Sequence, residues 1–454
     1  MRQFLDELAL KEKINATDDG QNYTRTTKPI DTKVNLVKQM PKVIKSKQPV
    51  IAIITAQYCE KLAVDSMISD KETFVRYRTT SGLDSVGGES SSANYVYTLG
   101  NIGDHRVVST KLTSVGHSRG ALIAAGNATT RLLGTFSDIE YVFLVGCGGG
   151  IVNYTDFSSH VRLGDVVVSH LPSANRSVTS SINSSRQTNG TSLADYVYVH
   201  CRAKQQHDVR RASDRTGSIP ISYSVHKNLK RAANGDFQSL GQQLQDQHQN
   251  DLEQAKEADA MQANKPLEYE ECHFRFWRPV SLDLQELTQR LWLRGLENPR
   301  HRIWEYYIDE GIKSLKQQDV DASRPTSDTD KLFMSIGSKE TIEVSHPEAA
   351  EDEVDLRREG RPMCHFGPIG SGKPAGSNEL LKQRMISEFD LRAFDSEFDP
   401  VVESIFGNCK EKYIMIRGIS DYKDGRRKKE WQQYSALVAA AFTKSVIVNL
   451  KASD

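Results

Sequence analysis

PVIAIITA, residues 49–56, is the stretch on which the reading of the fold turns. It is short, apolar and rich in β-branched residues, and it reads as a buried strand of the parallel type. Further runs of this kind follow at 94–99 (NYVYTL), 105–109 (HRVVS), 141–146 (YVFLVG) and 163–169 (LGDVVVS). Between them, 119–134 (RGALIAAGNATTRLLG) is rich in Ala and Leu and predicts a helix stopped by Gly134. Strands that are apolar almost throughout, alternating with helices, predict an α/β domain with helices on both faces of the sheet.

Composition frames that reading. The 454 residues carry 59 basic and 59 acidic side chains, a formal net charge of +0, which argues against a broad nucleic-acid-binding surface. The hydrophobic share of 38% is low enough to predict one packed part and one polar, exposed part. Cys59, Cys147, Cys201, Cys272, Cys364 and Cys409 are scattered without a CxxC pair, which excludes a disulfide scaffold and a zinc ribbon. The scattered His and Cys offer no metal-ligand set, and no metal or cofactor is expected. The first residues, MRQFLDELALKEKIN, lack the apolar core of a signal peptide. No segment approaches about 18 uninterrupted apolar residues. The expectation is a cytoplasmic protein with no membrane segment.

Along the chain, residues 1–48 are polar and basic and read as a flexible arm, and 49–170 hold the first part of the α/β domain. Residues 171–264 are rich in Ser, Asn, Gln and charge and read as a long polar insertion; within them, 238–263 has the spacing of a solvated helix. Residues 265–450 form the second part. There, 280–316 regains amphipathic helical spacing, 347–357 (PEAAEDEVDLR) is an acidic connector, and 413–419 (YIMIRGI) is a strand. A final helix at 430–446 puts Trp431, Tyr434, Val438, Ala441 and Phe442 on one face, most simply for packing on the sheet.

Three features carry candidate chemistry. Gly146-Cys147-Gly148-Gly149-Gly150 follows a strand, where glycines let backbone amides approach a ligand closely; the plain alternative is a tight turn. No helix with an acidic residue about 20 positions on follows it, so it is not a dinucleotide fingerprint. Asp421 ends a strand, where open α/β sheets build their ligand crevice, or it is a turn or capping Asp. Glu397, in DSEFD (395–399), is placed either to face solvent or to meet sugar hydroxyls by bidentate hydrogen bonds.

In order, VIAIITAQYCEKLAV (50–64), LVGCGGGI (144–151), RLGDVVVS (162–169), HFGPIGSG (365–372), DSEFD and RGISDYKD (417–424) resemble the purine nucleoside phosphorylase/uridine phosphorylase family. The likeness is greatest to its nucleosidase branch, and the tail resembles the version of that domain attached to immune-type receptors and repeat proteins in eukaryotes. It covers about 49–170 and 323–450. The resemblance implies a nucleoside phosphorylase-like three-layer fold with a central mixed β-sheet flanked by helices and a long polar insertion.

The resemblance also implies roles. Asp421 protonates or hydrogen-bonds N7 of a purine, Ser420 and Arg417 help hold that carboxyl, and Glu397, beside Ser396, binds the ribose 2′- and 3′-hydroxyls. Cys147, Gly148 and Gly149, with Ser371 and Gly372, line the base and sugar pocket. Glu60 stands where the nucleosidases carry the glutamate that activates water; its plain alternative is to open a helix, since acidic residues favour a first turn. Arg119 is the candidate phosphate contact, or a surface Arg at a helix start. Departures from the family pattern are Ser396 in place of the usual Met, Phe398 and Asp399 in place of small residues, and Lys373-Pro374 in place of an aromatic.

The basic run Lys423, Arg426, Arg427, Lys428 and Lys429 is either solvated or faces a pocket mouth and a nucleotide's phosphates. The expected function is hydrolysis of the N-ribosidic bond of a purine nucleoside or nucleotide. Phosphorolysis on the same scaffold and a non-catalytic nucleotide-binding module are the alternatives. The resemblance further implies a homo-oligomer.

Overall fold

The computed structural model describes residues 14–16, 23–25, 34–37, 40–41, 43–76, 95–113, 116, 118–172, 195–204, 269–336, 340–350, 357–395, 398–422 and 428–451. The readings made on Ser396, Glu397, Lys423, Arg426, Arg427 and 238–263 lie outside these residues.

In chain order the elements are β1 (Val34–Val37), β2 (Ile51–Thr55), α1 (Tyr58–Ser66), β3 (Ser69–Arg76), β4 (Tyr95–Ile102), β5 (His105–Lys111), α2 (Arg119–Thr135), β6 (Tyr141–Gly150) and β7 (Val166–Ser169). There follow β8 (Tyr198–Ala203), β9 (Cys272–Trp277), α3 (Asp283–Glu297), α4 (Ile303–Lys316), β10 (Leu332–Ile336), β11 (Glu340–Val344), β12 (Cys364–Gly367) and β13 (Ile369–Ser371). Last come α5 (Glu379–Phe389), β14 (Ala393–Phe394), α6 (Asp399–Gly407), β15 (Lys412–Asp421) and α7 (Lys429–Val448).

The chain divides into two compact units, the first made of residues 1–171, 279–367 and 392–454, the second of 172–278 and 368–391. The first unit is α/β, a mixed sheet flanked by helices, with strand order β14-β6-β2-β5-β4-β3-β1. β2 runs parallel to both β5 and β6, as its apolar sequence predicts, and every residue from Ile51 to Thr55 is buried. β15 runs parallel to β6 along its length and antiparallel to β7, which pairs in parallel with β12. β3, SDKETFVR, pairs antiparallel with β4; its polar sequence hid it, because Phe74 alone is buried among its described side chains.

α7 packs on β15 and β6, with α1 and α4 against it, and buries Trp431, Tyr434, Val438, Ala441 and Phe442. Burying a large apolar side chain contributes roughly 1.5–3 kcal/mol, so this face is a major source of stability. Contact is close enough that a Cβ on Gly418 of β15 would lie 1.8 Å from the Ser435 carbonyl oxygen. α2 packs on α6, where Ser404 Oγ donates to the Gly126 carbonyl at 3.0 Å.

In the second unit β8 pairs antiparallel with β9 and parallel with β13. β8 lies within the stretch read as a polar insertion, yet Tyr196, Val197, Tyr198, Val199 and Cys201 are buried. Five apolar residues between long polar tracts are diluted in any window wide enough to judge a region. Phe389 of α5 meets Tyr196, Phe274 and Phe276 edge-on at 5.2–6.2 Å, and Tyr196 donates to the Phe389 carbonyl. No helix among the described residues is long and apolar enough to cross a membrane.

Candidate active site

Three motif segments that are far apart in sequence converge on the C-terminal end of β6. The glycines read as a loop are instead the last residues of β6, whose strand runs on to Gly150. Gly149 sits between Phe394 of β14 and Asp421 of β15, and a bulge between Ile419 and Asp421 sets the latter register. Asp395, the first residue of DSEFD, follows Phe394 directly, so Phe394 and Asp421 flank the same glycine from opposite sides.

Glu60 comes to this place from α1. It is the third helical residue, and Gln57 and Glu60 form a reciprocal capping box. Its carboxylate also goes further than a cap requires. Oε2 accepts from the backbone N–H of Ala56 (2.7 Å) and Gln57 (2.8 Å), while Oε1 crosses to β6 and accepts from Cys147 N–H (2.8 Å). Gly146 makes that approach possible, since a Cβ there would lie 2.5 Å from the carboxyl carbon. Glu60 is 2% exposed. Burial raises its carboxyl above the usual 4.5, against the opposing pull of Arg417 and the three N–H donors.

Arg417, on β15 opposite Gly146, is fully buried. Its Nε forms an ion pair with Asp395 Oδ2, without hydrogen-bond alignment, and its guanidinium lies over the Phe398 ring at 4.4 Å. Nη1 and Nη2 have no hydrogen-bond acceptor among the described residues. The sequence reading gave Arg417 to Asp421; the structure pairs it with Asp395 and sets its charge against Glu60. Asp395 was missed although the signal existed: an Arg inside the apolar run IMIRGI must bury its charge, and a buried charge needs a carboxylate. Phe398, a departure from the family pattern, is the ring under that guanidinium.

The remaining candidates divide. Ser420 is buried on β15 and Asp421 is half-buried at its end. Cys147 is buried, its thiol donating to the Gln432 carbonyl at 3.4 Å. Interaction with the half-buried Cys59 thiol holds Cys59 below its usual value and, with burial, pushes Cys147 well up. Ser371 and Gly372 belong to the second unit, where Ser371 Oγ is taken up by Tyr198 Oη (2.5 Å) and His200 Nδ1 (2.9 Å). Arg119 is exposed as the first residue of α2, which Ser118 caps by accepting from Ala121 N–H. Lys428, read as part of a solvated or phosphate-facing run, is buried and donates to the carbonyls of Thr329 (2.8 Å) and Lys331 (3.1 Å).

No family model matches the chain. A nucleotide-binding leucine-rich repeat (NLR)-like protein of Hyaloscypha variabilis is 26% identical over 354 residues, 77% of this chain and 25% of that protein. The chain thus spans about a quarter of the length of the curated relative it matches. Among solved structures, the 5′-methylthioadenosine/S-adenosylhomocysteine nucleosidase of Neisseria meningitidis, in complex with methylthio-immucillin-A, aligns with a TM-score of 0.40 and 12% identity over 88% of this chain and 99% of that one. The futalosine hydrolase of Helicobacter pylori aligns with a TM-score of 0.39 and 13% identity over 89% and 99%.

Proposed function

We propose that the chain is a purine nucleoside or nucleotide N-ribosyl hydrolase, with Glu60 as the base that activates water and Asp421 as the group that meets the purine. The observation that carries this reading is the seat of Glu60. A helix cap needs only the Gln57 contact, yet the carboxylate is also bonded to β6, beside a buried guanidinium with two nitrogens left without acceptors among the described residues. Such an arrangement fits a water held between Glu60 and Arg417.

In the step that follows, water oxygen bonds to the sugar C1′ as the C1′–N9 bond breaks, and its proton passes to Glu60. The pair of electrons leaves on the base, where Asp421 supplies a proton or a hydrogen bond at N7. Positive charge on the sugar and negative charge on the base develop together, so carboxylates at the sugar and an acid at the base stabilise both ends. Glu397 would hold the ribose hydroxyls by the family resemblance. Phosphorolysis is less well supported, because the residue proposed to contact phosphate, Arg119, lies exposed at a helix start. A non-catalytic module drew its support from the altered residues around Glu397; Phe398 has a packing reason to differ, under Arg417.

The test is an incubation with adenosine, inosine, methylthioadenosine, AMP and ATP, with and without phosphate, measuring free base and sugar. Base release without phosphate is expected, and it is expected to vanish in Glu60→Gln and Asp421→Asn. Strict dependence on phosphate, or binding without turnover, would overturn the hydrolase reading.

A further inference from the structure

Asp421 is followed by Tyr422, and Tyr422 is fastened both to the RLGDVVVS segment and to Asp330, which no candidate motif includes. Its phenol donates to Asp330 Oδ1 at 2.5 Å and accepts from Leu163 N–H at 3.2 Å. Asp330 lies in the turn between α4 and β10, its carboxylate wholly removed from solvent. The other oxygen of that carboxylate accepts from Arg162 Nε (3.0 Å) and Nη2 (2.8 Å). His346 completes the surroundings, its Nε2 at 2.8 Å from the Asp330 carbonyl, with Nδ1 at 2.9 Å from His160 Nε2.

The same turn holds the chain again from Lys428 onward. Lys428 Nζ donates to the Thr329 and Lys331 carbonyls, and Trp431 Nε1 donates to Thr329 Oγ1 at 3.0 Å. On the other side of Asp421, Ile419 is tied to the 164–165 turn by two backbone hydrogen bonds of 2.8 Å, one donated and one accepted. Ser420 is the residue that the bulge in β15 leaves out of the ladder, and Asp421, directly beyond it, pairs with Gly149 between the clamped Ile419 and Tyr422. A bulge re-aims the side chains next to it, so the direction of Asp421 depends on what holds the residues on either side.

We propose that Asp330 is a positioning residue for Asp421, acting through the Tyr422 hydroxyl to fix where the carboxyl at the end of β15 points. The proposal rests on the hydrolase reading for its catalytic consequence. Its structural part stands on the hydrogen bonds alone. Buried polar groups are bonded in native chains as a rule, but here one carboxylate joins the 162–163 turn, the 329–331 turn and the residue after Asp421. Misplacement of a reacting group by about 1 Å costs on the order of a hundredfold in rate, so a looser Tyr422 is felt at Asp421 before it is felt in folding.

The experiment compares the full chain with Tyr422→Phe, Asp330→Asn and the exposed-pair control Glu343→Ala, whose wild-type carboxylate meets Lys331 at the surface. Three quantities are read: kcat and KM for base release, the thermal midpoint, and amide hydrogen exchange in peptides covering 417–422. Tyr422→Phe, which keeps the ring, is expected to lower kcat about tenfold or more with KM little changed. It is also expected to speed exchange at 419–422 about tenfold, while Glu343→Ala matches the wild type in both. Unchanged exchange at 419–422 overturns the proposal, as does a lowered thermal midpoint with kcat unaltered. Should the wild type release no base, the hydrolase reading fails, and local against unchanged exchange still decides whether Asp330 positions this strand end. If Asp330→Asn does not fold, Tyr422→Phe carries the test.

Discussion

Glu60 answers to two demands at once, and a pH series separates them. Burial raises its folded-state value above 4.5, so its contribution to stability is full below pH 4.5 and is lost as pH rises through the folded value. If it is the base, activity needs the ionised form and disappears as pH falls through that same value. Wild-type activity is therefore expected to show an acid limb inflecting above 4.5, and stability measured by denaturant is expected to lose a matching component over that interval, absent in Glu60→Gln. An acid limb at or below 4.5 would count against Glu60 as the base. The position of Glu60 was legible from its spacing after Thr55. Its seat was not, because the donors come from Ala56, Gln57 and Cys147, and only the fold brings residue 147 to residue 60.

At the scale of elements, β15 and α7 are the most exacting contact. Gly418→Ala would put a methyl group 1.8 Å from the Ser435 carbonyl oxygen, on backbone that cannot rotate away. Overpacking of this kind costs about 3 kcal/mol or more, and the expected result is a large drop in the denaturation midpoint with an unchanged slope. A loss under about 1 kcal/mol would mean that α7 shifts freely. The elements that the sequence announced, β2, β4, β5, β6, β7, β15, α2, α3, α4 and α7, are those buried on both sides or along one face, where the apolar pattern is strongest. Those it concealed have their reasons in particular residues. β3 is mostly polar and charged, with Phe74 its one buried side chain among those described, and β8 lies among polar tracts. The glycines of β6 looked like a loop because chain neighbours do not reveal that Glu60 and Phe394 will fill the space beside them.

For the whole molecule, the order of assembly matters more than the count of residues. The first unit draws its sheet from three separated segments, and β15 from the last of them occupies one whole edge of β6. A chain ending at residue 428 would keep β15 but lose α7, exposing the face that buries Trp431, Tyr434, Leu437, Val438, Ala441 and Phe442. At roughly 1.5–3 kcal/mol for each large apolar side chain, that loss is as large as the roughly 5–15 kcal/mol of net stability of a typical domain. The truncated chain is expected to lack a cooperative unfolding transition, as read by calorimetry; a sharp transition near the full-length midpoint would contradict this. The neutral total charge acquires a meaning here too. Carboxylates and cations are used in buried pairs, Asp395 with Arg417 inside the last segment and Asp330 with Arg162 across two segments.

Gly146 and Glu60 bind each other's evolutionary options. A side chain at 146 and a carboxylate at 60 would claim the same few cubic ångströms, so neither position can drift while the other is in use. On the hydrolase reading, a side chain at 146 is therefore expected to abolish base release even with Glu60 in place, because it fills the room that the carboxylate needs.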